Sequence, residues 1–461
     1  MEATTGSRPL IGQPLGTARR PPRQLLRSAS READWPNTTR LLPWALFAFV
    51  AMLWLVPFDS IKLPFGGPID ATLDRPMLML LAALWFLSIR AARSTRRVRV
   101  SGVHWAFGAF TAIAALSIVL RGESLIRLGE MDLATKQLAL VVTYGVFFAL
   151  CASIIRASEV TRLIKAMLVL ACITAFSVIL EYRLGINPFH DWIGPLFPGY
   201  VRPAGLGTID SIGRVQIYGP GEHPLVPAVM LSMTLPFAFT WLLKAEDRQQ
   251  RLLYGAMVVL LIGGAVATQK KTAMVGPLVC VAVLTAYRPR AMVRLAPLAV
   301  VLVAVVHLTA PGALGGVIDQ FAPGSVNKVN TTQDRVSDYE AVVPDVVDHP
   351  LLGRGYGSYD QKKHRILDNL YLTLAIGVGL LGLIGYLAII VTSFVNAHRV
   401  ARSGDPDRGP PAMAAAAAIC VALVSGALLD FLSFPQLPYL FCFIAAIAFV
   451  LAHDRPSESP R

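Results

Sequence analysis

Hydrophobic residues form long continuous runs along this chain, separated by short polar connections, from residue 41 to residue 452. The first run, LLPWALFAFVAMLWLVPF from Leu41, is typical of the others. A helix of about 20 apolar residues crosses the roughly 30 Å hydrocarbon layer of a membrane. Only helices and closed barrels satisfy every backbone group in lipid, and these runs lack the alternation of barrel strands. The pattern therefore predicts an all-α, polytopic transmembrane bundle.

About twelve spans are predicted, of which the second and the eighth are short. They cover residues 41–58, 76–89, 102–120, 138–155, 163–181, 224–243, 252–268, 272–287, 293–310, 370–395, 412–429 and 435–452. The break between the seventh and eighth spans also allows a re-entrant bend. The one long hydrophilic insertion, residues 311–369, falls between the ninth and tenth spans.

Charge gives the orientation of these spans. Only 15% of the residues are charged, against about 25% in a soluble globular chain, yet the net charge is +13. With the N-terminus inside, 26 Lys and Arg face the cytoplasm and 16 face outward, six of them in the insertion. Short cytoplasmic connections are enriched in Lys and Arg, so the count predicts that both termini are cytoplasmic. This distribution accounts for the basic chain without nucleic acid.

The regions outside the spans are short. Residues 1–40 hold seven Arg and no apolar run, which predicts a disordered basic cytoplasmic tail. Residues 41–452 form the transmembrane domain, whose first span would act as an uncleaved signal anchor, and residues 453–461 form a second cytoplasmic tail. Every cysteine lies within a predicted span and none has metal-ligand spacing. The cysteines are Cys151, Cys172, Cys280, Cys420 and Cys442.

Three predicted outer segments are substantial: 121–137, 182–223 and 311–369. The second is rich in Gly and Pro, which predicts an ordered irregular loop. In the third, residues 335–347 suit an amphipathic helix interrupted by Pro344, followed by the glycine-rich turn HPLLGRGYGSY. All three would lie on the extracytoplasmic side.

Gly377, Gly379 and Gly382 spell a G-x-G-x-x-G sequence inside the tenth span. A dinucleotide site needs a strand before such a sequence, and no strand is predicted here. Small residues at this spacing let helices approach closely in lipid. We interpret these glycines as helix-packing residues.

Cations gather near the outer ends of the spans. Arg202 and Arg214 precede the sixth span, and Lys270 and Lys271 occupy the tight turn before the eighth. Each alone is explained by snorkelling to the membrane surface. Together they suit a diphosphate group, to which Arg donates paired hydrogen bonds and Lys contributes a point charge. Both interpretations stay open, and Arg335 in the insertion is a weaker candidate for the same role.

Acidic, imidazole and amide groups stand at the starts of two spans. Glu222 and His223 precede the sixth span, and His364, Asp368 and Asn369 precede the tenth. A carboxylate or imidazole partly removed from water can act as a general base. The alternative is that these groups cap helix N-termini, and for Asn369 the cap is the favoured interpretation.

These motifs, in this order, resemble the O-antigen ligase and O-antigen polymerase superfamily of bacterial glycan-assembling membrane proteins. Four stretches carry the resemblance over roughly residues 40 to 450: RVQIYGPGEHPLVPAVMLSMTL from Arg214, TQKKTAMVGPLVCVAV from Thr268, the segment from Arg335 that contains DHPLLGRGYGSY, and DNLYLTLAIGVGLLGLIGY from Asp368. Two positions depart from the family pattern. Lys271 stands where the family often has Arg, and Asp368 stands where ligases have His.

The resemblance implies a metal-independent glycosyltransferase without cofactor, in the bacterial cytoplasmic membrane. It would move an oligosaccharide from undecaprenyl diphosphate to a growing glycan at the outer face, with inversion at the anomeric carbon, in exopolysaccharide or O-antigen assembly. Partners that control chain length or export would fit this role. The diphosphate would contact Arg214, Lys270, Lys271, Arg202 and Arg335; the base would be Asp368 or His364; and the acceptor or sugar would contact Glu222, His223, Asn369, Tyr371 and Tyr359.

Polymerase is favoured over ligase because Asp replaces the ligase His. Three alternatives stay open: a ligase that joins glycan to a lipid or protein acceptor, a secondary transporter or lipid-carrier flippase, and a non-catalytic assembly partner. A transporter needs polar groups near the bilayer midplane. Most predicted span interiors lack charge, which weighs against that class.

Overall fold

The computed structural model describes most of the predicted transmembrane domain. The described residues are 41–63, 72–91, 100–209, 213–270, 272–298, 301, 304, 307, 342–359, 363–364 and 367–453. The predicted tail 1–40, the last eight residues and half of the ninth span lie outside them. Lys271 and Arg335 lie outside them as well.

The described part of the chain is helical, with isolated β-bridges and no strand. We number the helices that carry the argument α1 (Leu41–Leu55), α2 (Asp74–Ala91), α3 (Gly102–Leu128), α4 (Met131–Ile154), α5 (Ala157–Leu184), α6 (Leu225–Lys244), α7 (Arg248–Ala267), α8 (Thr272–Tyr287), α9 (Pro289–Val293), α10 (Leu370–Ala401), α11 (Gly409–Gly426) and α12 (Gln436–His453). A short helical segment over 342–348 precedes α10 and includes Pro344 instead of breaking there.

Eight of the described helices are long and apolar enough to cross a membrane: α3, α4, α5, α6, α7, α10, α11 and α12. Helices α1 and α8 are apolar but shorter. Helix α2 carries Asp74, Arg75 and Arg90 within its 18 residues. The all-helical, multi-pass prediction is confirmed, whereas the count of about twelve spans and the orientation stay predictions.

The predicted outer segment 121–137 is helical over nearly all of its length, and its position outside the membrane stays a prediction. Helix α3 extends to Leu128, and α4 starts at Met131. Gly129 ends α3 in a left-handed conformation (φ 66°) that suits glycine. The connection is therefore a tight turn that places Glu130 at the N-terminus of α4. The second predicted loop is irregular as expected, although α5 continues through Leu184.

Two helices form the centre of the bundle. Nearly nine-tenths of α6 and α12 is buried. The Tyr439 ring of α12 lies 5.1 Å from Phe49 of α1, 5.1 Å from Phe147 of α4 and 5.2 Å from Tyr144, all edge to face. Edge-to-face contacts are favourable beyond the area they bury. They fix α12, and with it Gln436, against α1 and α4.

The glycines of α10 contact a loop as well as a neighbouring helix. The backbone of Gly379 leaves the helical region (φ 64°, ψ −167°), and a Cβ there would collide with Leu351. At this break the Arg354 N–H donates to the Ile376 carbonyl (2.8 Å), and the Leu380 N–H donates to the Pro350 carbonyl (2.8 Å). The glycine-rich turn thus docks onto exposed backbone of α10. Farther along α10, Gly385 does pack against α3, at Phe110.

The segments that carry candidate chemistry meet at one end of the bundle. We call this the loop end: residues 58–63, 129–130, 185–209, 213–224, 268–270, 342–359, 363–364, 367–369 and 427–435. Direct contacts between these segments, described next, bring them together. The other end, with the turns after α4, α6, α8 and α10, is the opposite end.

Candidate functional site

The segment after α1 and the long loop after α5 pair through their backbones. The Val201 N–H donates to the Ser60 carbonyl (2.8 Å), and the Lys62 N–H donates to the Gly199 carbonyl (3.0 Å). Gly199 has φ 80°, and a Cβ there would strike the Lys62 carbonyl. This close approach holds the segment after α1, including Asp59, against the long irregular loop.

Three buried polar side chains hold that loop just before Glu222 and His223. Glu181 at the end of α5 accepts hydrogen bonds from the Tyr218 and Gly219 N–H groups, both 2.9 Å. The Asn187 amide donates to the Gly219 carbonyl (2.9 Å). His190 Nε2 lies 3.0 Å from the Gly221 carbonyl, and burial lowers the pKa of His190 to about 4. A neutral, fully buried His190 donates that bond.

The turn between α7 and α8 places cationic groups together. Gln269 has a left-handed backbone (φ 55°), which is uncommon for a residue other than glycine. Its carbonyl accepts a hydrogen bond from Arg214 Nη1 (3.3 Å). Arg214 and Lys270 therefore flank one turn, although Arg214 precedes α6 in the chain.

His223 lies beside Lys270 and is neutral. Burial, and to a smaller extent the positive charge of Lys270, lower its pKa to about 4. Its Nδ1 accepts a hydrogen bond from the Leu225 N–H (3.3 Å), so the proton is on Nε2. The ring packs against Phe434 (5.1 Å between centroids). His223 can donate a hydrogen bond to a ligand but adds no charge.

Asp368 lies near a second, buried carboxyl group. Burial raises the pKa of Asp430 to about 6, a Ser433 hydroxyl bond (2.7 Å) opposes this rise, and the charge of Asp368 adds to it. Asn369 caps α10: its side-chain oxygen accepts from the Tyr371 N–H (2.9 Å). The cap prediction is confirmed. It leaves Asp368 exposed immediately before the first turn of α10.

A second charged group at the loop end was missed by sequence reasoning. Glu130 is buried, and its two oxygens lie 3.0 Å from Arg354 Nη2 and 3.1 Å from His364 Nε2. Tyr359 stacks on His364 (4.9 Å between centroids), and Arg354 lies over the Tyr359 ring (5.8 Å). The opposed charges neutralise one another and tie the insertion to the turn between α3 and α4. The only sequence signal was an arginine between two glycines.

Two other predicted site residues are engaged elsewhere. Arg202 forms an ion pair with Asp191 (2.7 Å). The Tyr371 hydroxyl donates to the Leu423 carbonyl of α11, so it lies in the contact between α10 and α11. Neither contact places these side chains beside the Arg214–Lys270 turn.

A family model described as "O-Antigen ligase" matches residues 256–387. This stretch includes the turn after α7, the insertion and the first half of α10. This match supports the resemblance of the chain to the O-antigen ligase and polymerase superfamily. No curated protein matches it.

The match and the apolar helices together support an O-antigen ligase- or polymerase-type membrane enzyme. The matched stretch carries Lys270, Asp368 and the Arg354–His364 group. Arg214 and Glu130 lie outside the match and are brought to it by the fold. Among the described residues, no three His, Cys, Asp or Glu side chains are grouped to hold a metal ion. Metal independence stays a prediction.

Sequence reasoning also missed two buried acids. Asp59 follows α1 by only four residues, and Asp430 lies in the short connection between α11 and α12. Their signal was modest: an acid in a short loop that immediately follows an apolar run. Both are buried because other loops cover them, which no local pattern reveals.

Proposed function

We propose that this chain transfers an oligosaccharide from undecaprenyl diphosphate to a sugar hydroxyl at the outer face of the bacterial cytoplasmic membrane. The loop end would be that outer face, as the Lys and Arg count predicts. One observation carries the proposal. The fold joins Arg214 to the Lys270 turn, within the same end of the bundle that presents Asp368 at the start of α10.

Arg214 and Lys270 would bind the diphosphate of the donor. Glycosyl transfer leaves negative charge on the departing diphosphate oxygen, and fixed cations stabilise that charge. The neutral His223 beside Lys270 adds a donor without repelling the cations. Lys271 and Arg335 remain candidates for the same role, whereas the ion pair with Asp191 makes Arg202 a weaker one.

Asp368 would act as the general base. The acceptor hydroxyl oxygen forms a bond to the anomeric carbon while the carbon–oxygen bond to diphosphate breaks. The bonding electrons leave with the diphosphate, and the hydroxyl proton passes to Asp368. Attack from the face opposite the leaving group inverts the anomeric centre. The mechanism requires no cofactor.

His364 is the weaker candidate for the base. Its Nε2 lies 3.1 Å from Glu130, and its ring is stacked on Tyr359. An imidazole held in this way positions the insertion. We therefore assign His364, Tyr359 and Arg354 the role of positioning the insertion. All three precede Asp368 in the chain by four residues or more.

The test measures glycan transfer by the full-length protein in nanodiscs. Asp368→Asn should lower kcat by about 10² to 10⁴, the usual contribution of a general base. Arg214→Ala and Lys270→Ala should each lower transfer by about 10² through lost stabilisation of charge. Two matched controls at the loop end should keep activity: Asp132→Asn, and Arg127→Ala, which breaks only an exposed pair with Glu123. Full activity of Asp368→Asn would overturn the assignment of the base.

Polymerase and ligase are separated by deleting the gene and sizing the surface glycan. We propose the polymerase, because Asp368 replaces the histidine of ligases. A polymerase deletion leaves single repeat units on the surface. Long chains stranded on the carrier would instead identify a ligase, and normal glycan would exclude both.

A further inference from the structure

A group of buried polar side chains lies at the loop end between the segment after α1 and the start of α12. Asp59 is 6% exposed, Ser60 is 2% exposed and Gln436 is fully buried. Gln436 lies beside Asp59, close enough to lower the pKa of that carboxyl. Asp59 and Gln436, from near the two ends of the chain, thus meet in one buried polar group that includes the adjacent Ser60, and we call this group the pocket.

The protein satisfies this polar group only in part: Gln436 interacts with the Asp59 carboxyl strongly enough to lower its pKa, yet several atoms of the group keep no other partner among the described residues. Within the described ranges, no hydrogen bond of normal geometry reaches Asp59 Oδ1, Ser60 Oγ or either polar atom of the Gln436 amide. The neighbouring Asp74 differs, because Thr72 (2.5 Å) and Tyr439 (2.7 Å) donate to its two oxygens. Buried polar groups are normally hydrogen-bonded, so an unsatisfied set requires an explanation.

The chemistry of the pocket indicates which ligand would satisfy it. The negative charges of Glu222 and Asp74 lie close to Asp59, so the pocket repels a phosphate or carboxylate. Burial raises the pKa of Asp59, and these two charges raise it further. Donors from Ser60 and Gln436 stand beside acceptors from Asp59 and Gln436. A neutral group with several hydroxyls, such as a sugar ring, matches this mixture.

The position of the pocket relative to the cations supports the same ligand. Glu222 lies near Asp59, and the next residue, His223, lies near Lys270. The dipeptide Glu222–His223 thus lies between the pocket and the proposed diphosphate site. A sugar joined to that diphosphate would extend toward the pocket.

We propose that Asp59, Ser60 and Gln436 bind hydroxyl groups of a sugar residue in the lipid-linked oligosaccharide. This assignment rests on the proposed function, because it requires a donor whose diphosphate lies at Arg214 and Lys270. The backbone bond from Val201 to Ser60 fixes the segment before the ligand arrives. The pocket is therefore preorganised for binding.

The test compares two probes on the full-length protein in nanodiscs. One probe is undecaprenyl diphosphate. The other is the undecaprenyl-diphosphate-linked oligosaccharide isolated from cells that lack this protein. Ser60→Ala and Gln436→Leu should each weaken binding of the sugar-bearing probe by about ten-fold, the effect of one lost hydrogen bond. Binding of the sugar-free probe should not change.

Ser393→Ala is the matched control. Ser393 is a fully buried serine of α10 whose hydroxyl also has no hydrogen-bond partner among the described residues, but it lies toward the opposite end. Its substitution should leave both affinities unchanged. The unfolding temperature without lipid should stay the same or rise in Gln436→Leu, because an unsatisfied amide is replaced by an apolar group. That result separates lost binding from lost folding.

Two results would overturn the assignment of the pocket alone. In the first, the substitutions weaken the binding of both probes equally. In the second, wild-type protein binds both probes and the substitutions weaken the binding of neither. Failure of the proposed function gives a different result, in which wild-type protein binds neither probe. A larger loss for the sugar-bearing probe supports both.

Discussion

At the opposite end of the bundle, two acidic side chains accept hydrogen bonds from the backbone of their own turns. Asp247 caps α7 through the Gln250 N–H (2.6 Å), and Asp405 accepts from the Asp407 and Arg408 N–H groups. At the loop end, acids bind groups that are distant in sequence: Glu130 contacts Arg354, and Glu181 holds the 218–219 backbone. These two acids of the opposite end thus stabilise local turns, and the Lys244–Asp407 pair there is a distant but exposed contact. The loop end assembles a site from several segments.

The largest expected difference between the two ends is the loss of stability when an ion pair is broken. Arg354→Met leaves Glu130 buried without its guanidinium partner, which typically costs about 3–5 kcal/mol. Lys244→Met at the opposite end breaks a pair with Asp407, which is 87% exposed, and should cost at most about 1 kcal/mol. Thermal unfolding of both variants in detergent measures the difference. Equal effects would show that the Glu130 group does not hold the insertion.

Two glycines with positive φ test whether the loop end depends on the docked turn. Gly379→Ala adds a collision with Leu351 to the strain of a left-handed alanine, about 2–4 kcal/mol together. Gly404 at the opposite end has φ 77° and open space around it, so Gly404→Ala should cost only about 1–2 kcal/mol. Unfolding temperatures and protease sensitivity of residues 342–359 check this pair. Tolerance of alanine at both positions would contradict the docked arrangement.

A smaller, pH-dependent effect is expected at Asp430. Its pKa is about 6 in the folded protein and near 3.8 when unfolded, so its ionisation destabilises the fold as pH rises through this window. The stability of Asp430→Asn relative to wild type should therefore rise by about 3 kcal/mol between about pH 4 and pH 6.5, and should rise no further at higher pH. Unfolding curves at several pH values measure this difference. A constant difference from pH 4 to pH 8 would show that Asp430 ionises normally.

Sequence alone predicted what depends on local pattern. The helical runs, the Asn369 cap and the irregular loop before α6 follow from composition and helix-end rules, and the structure confirms each of them. The helix through 121–128 was missed because its polar residues include the Glu123–Arg127 pair, which stabilises helix outside the apolar run.

The contacts that build the candidate site were beyond sequence reasoning. Glu130 and Arg354 are separated by 224 residues, and Asp59 meets Gln436 across nearly the whole chain. Side chains of this kind are recognised only when the fold brings them together. The short turn at Lys270 was visible in the sequence, whereas its contact with the Arg214 segment was not.

The account depends most on which side of the membrane the loop end faces. Single cysteines at Thr208 in the loop end and Glu246 at the opposite end, both exposed positions, can be labelled with a membrane-impermeant maleimide. Wild-type protein, whose five cysteines lie within helices, serves as the blank. In intact cells Thr208→Cys should react, and Glu246→Cys should react only after the membrane is opened. The reverse pattern would contradict an outward-facing site that binds a lipid-linked diphosphate donor.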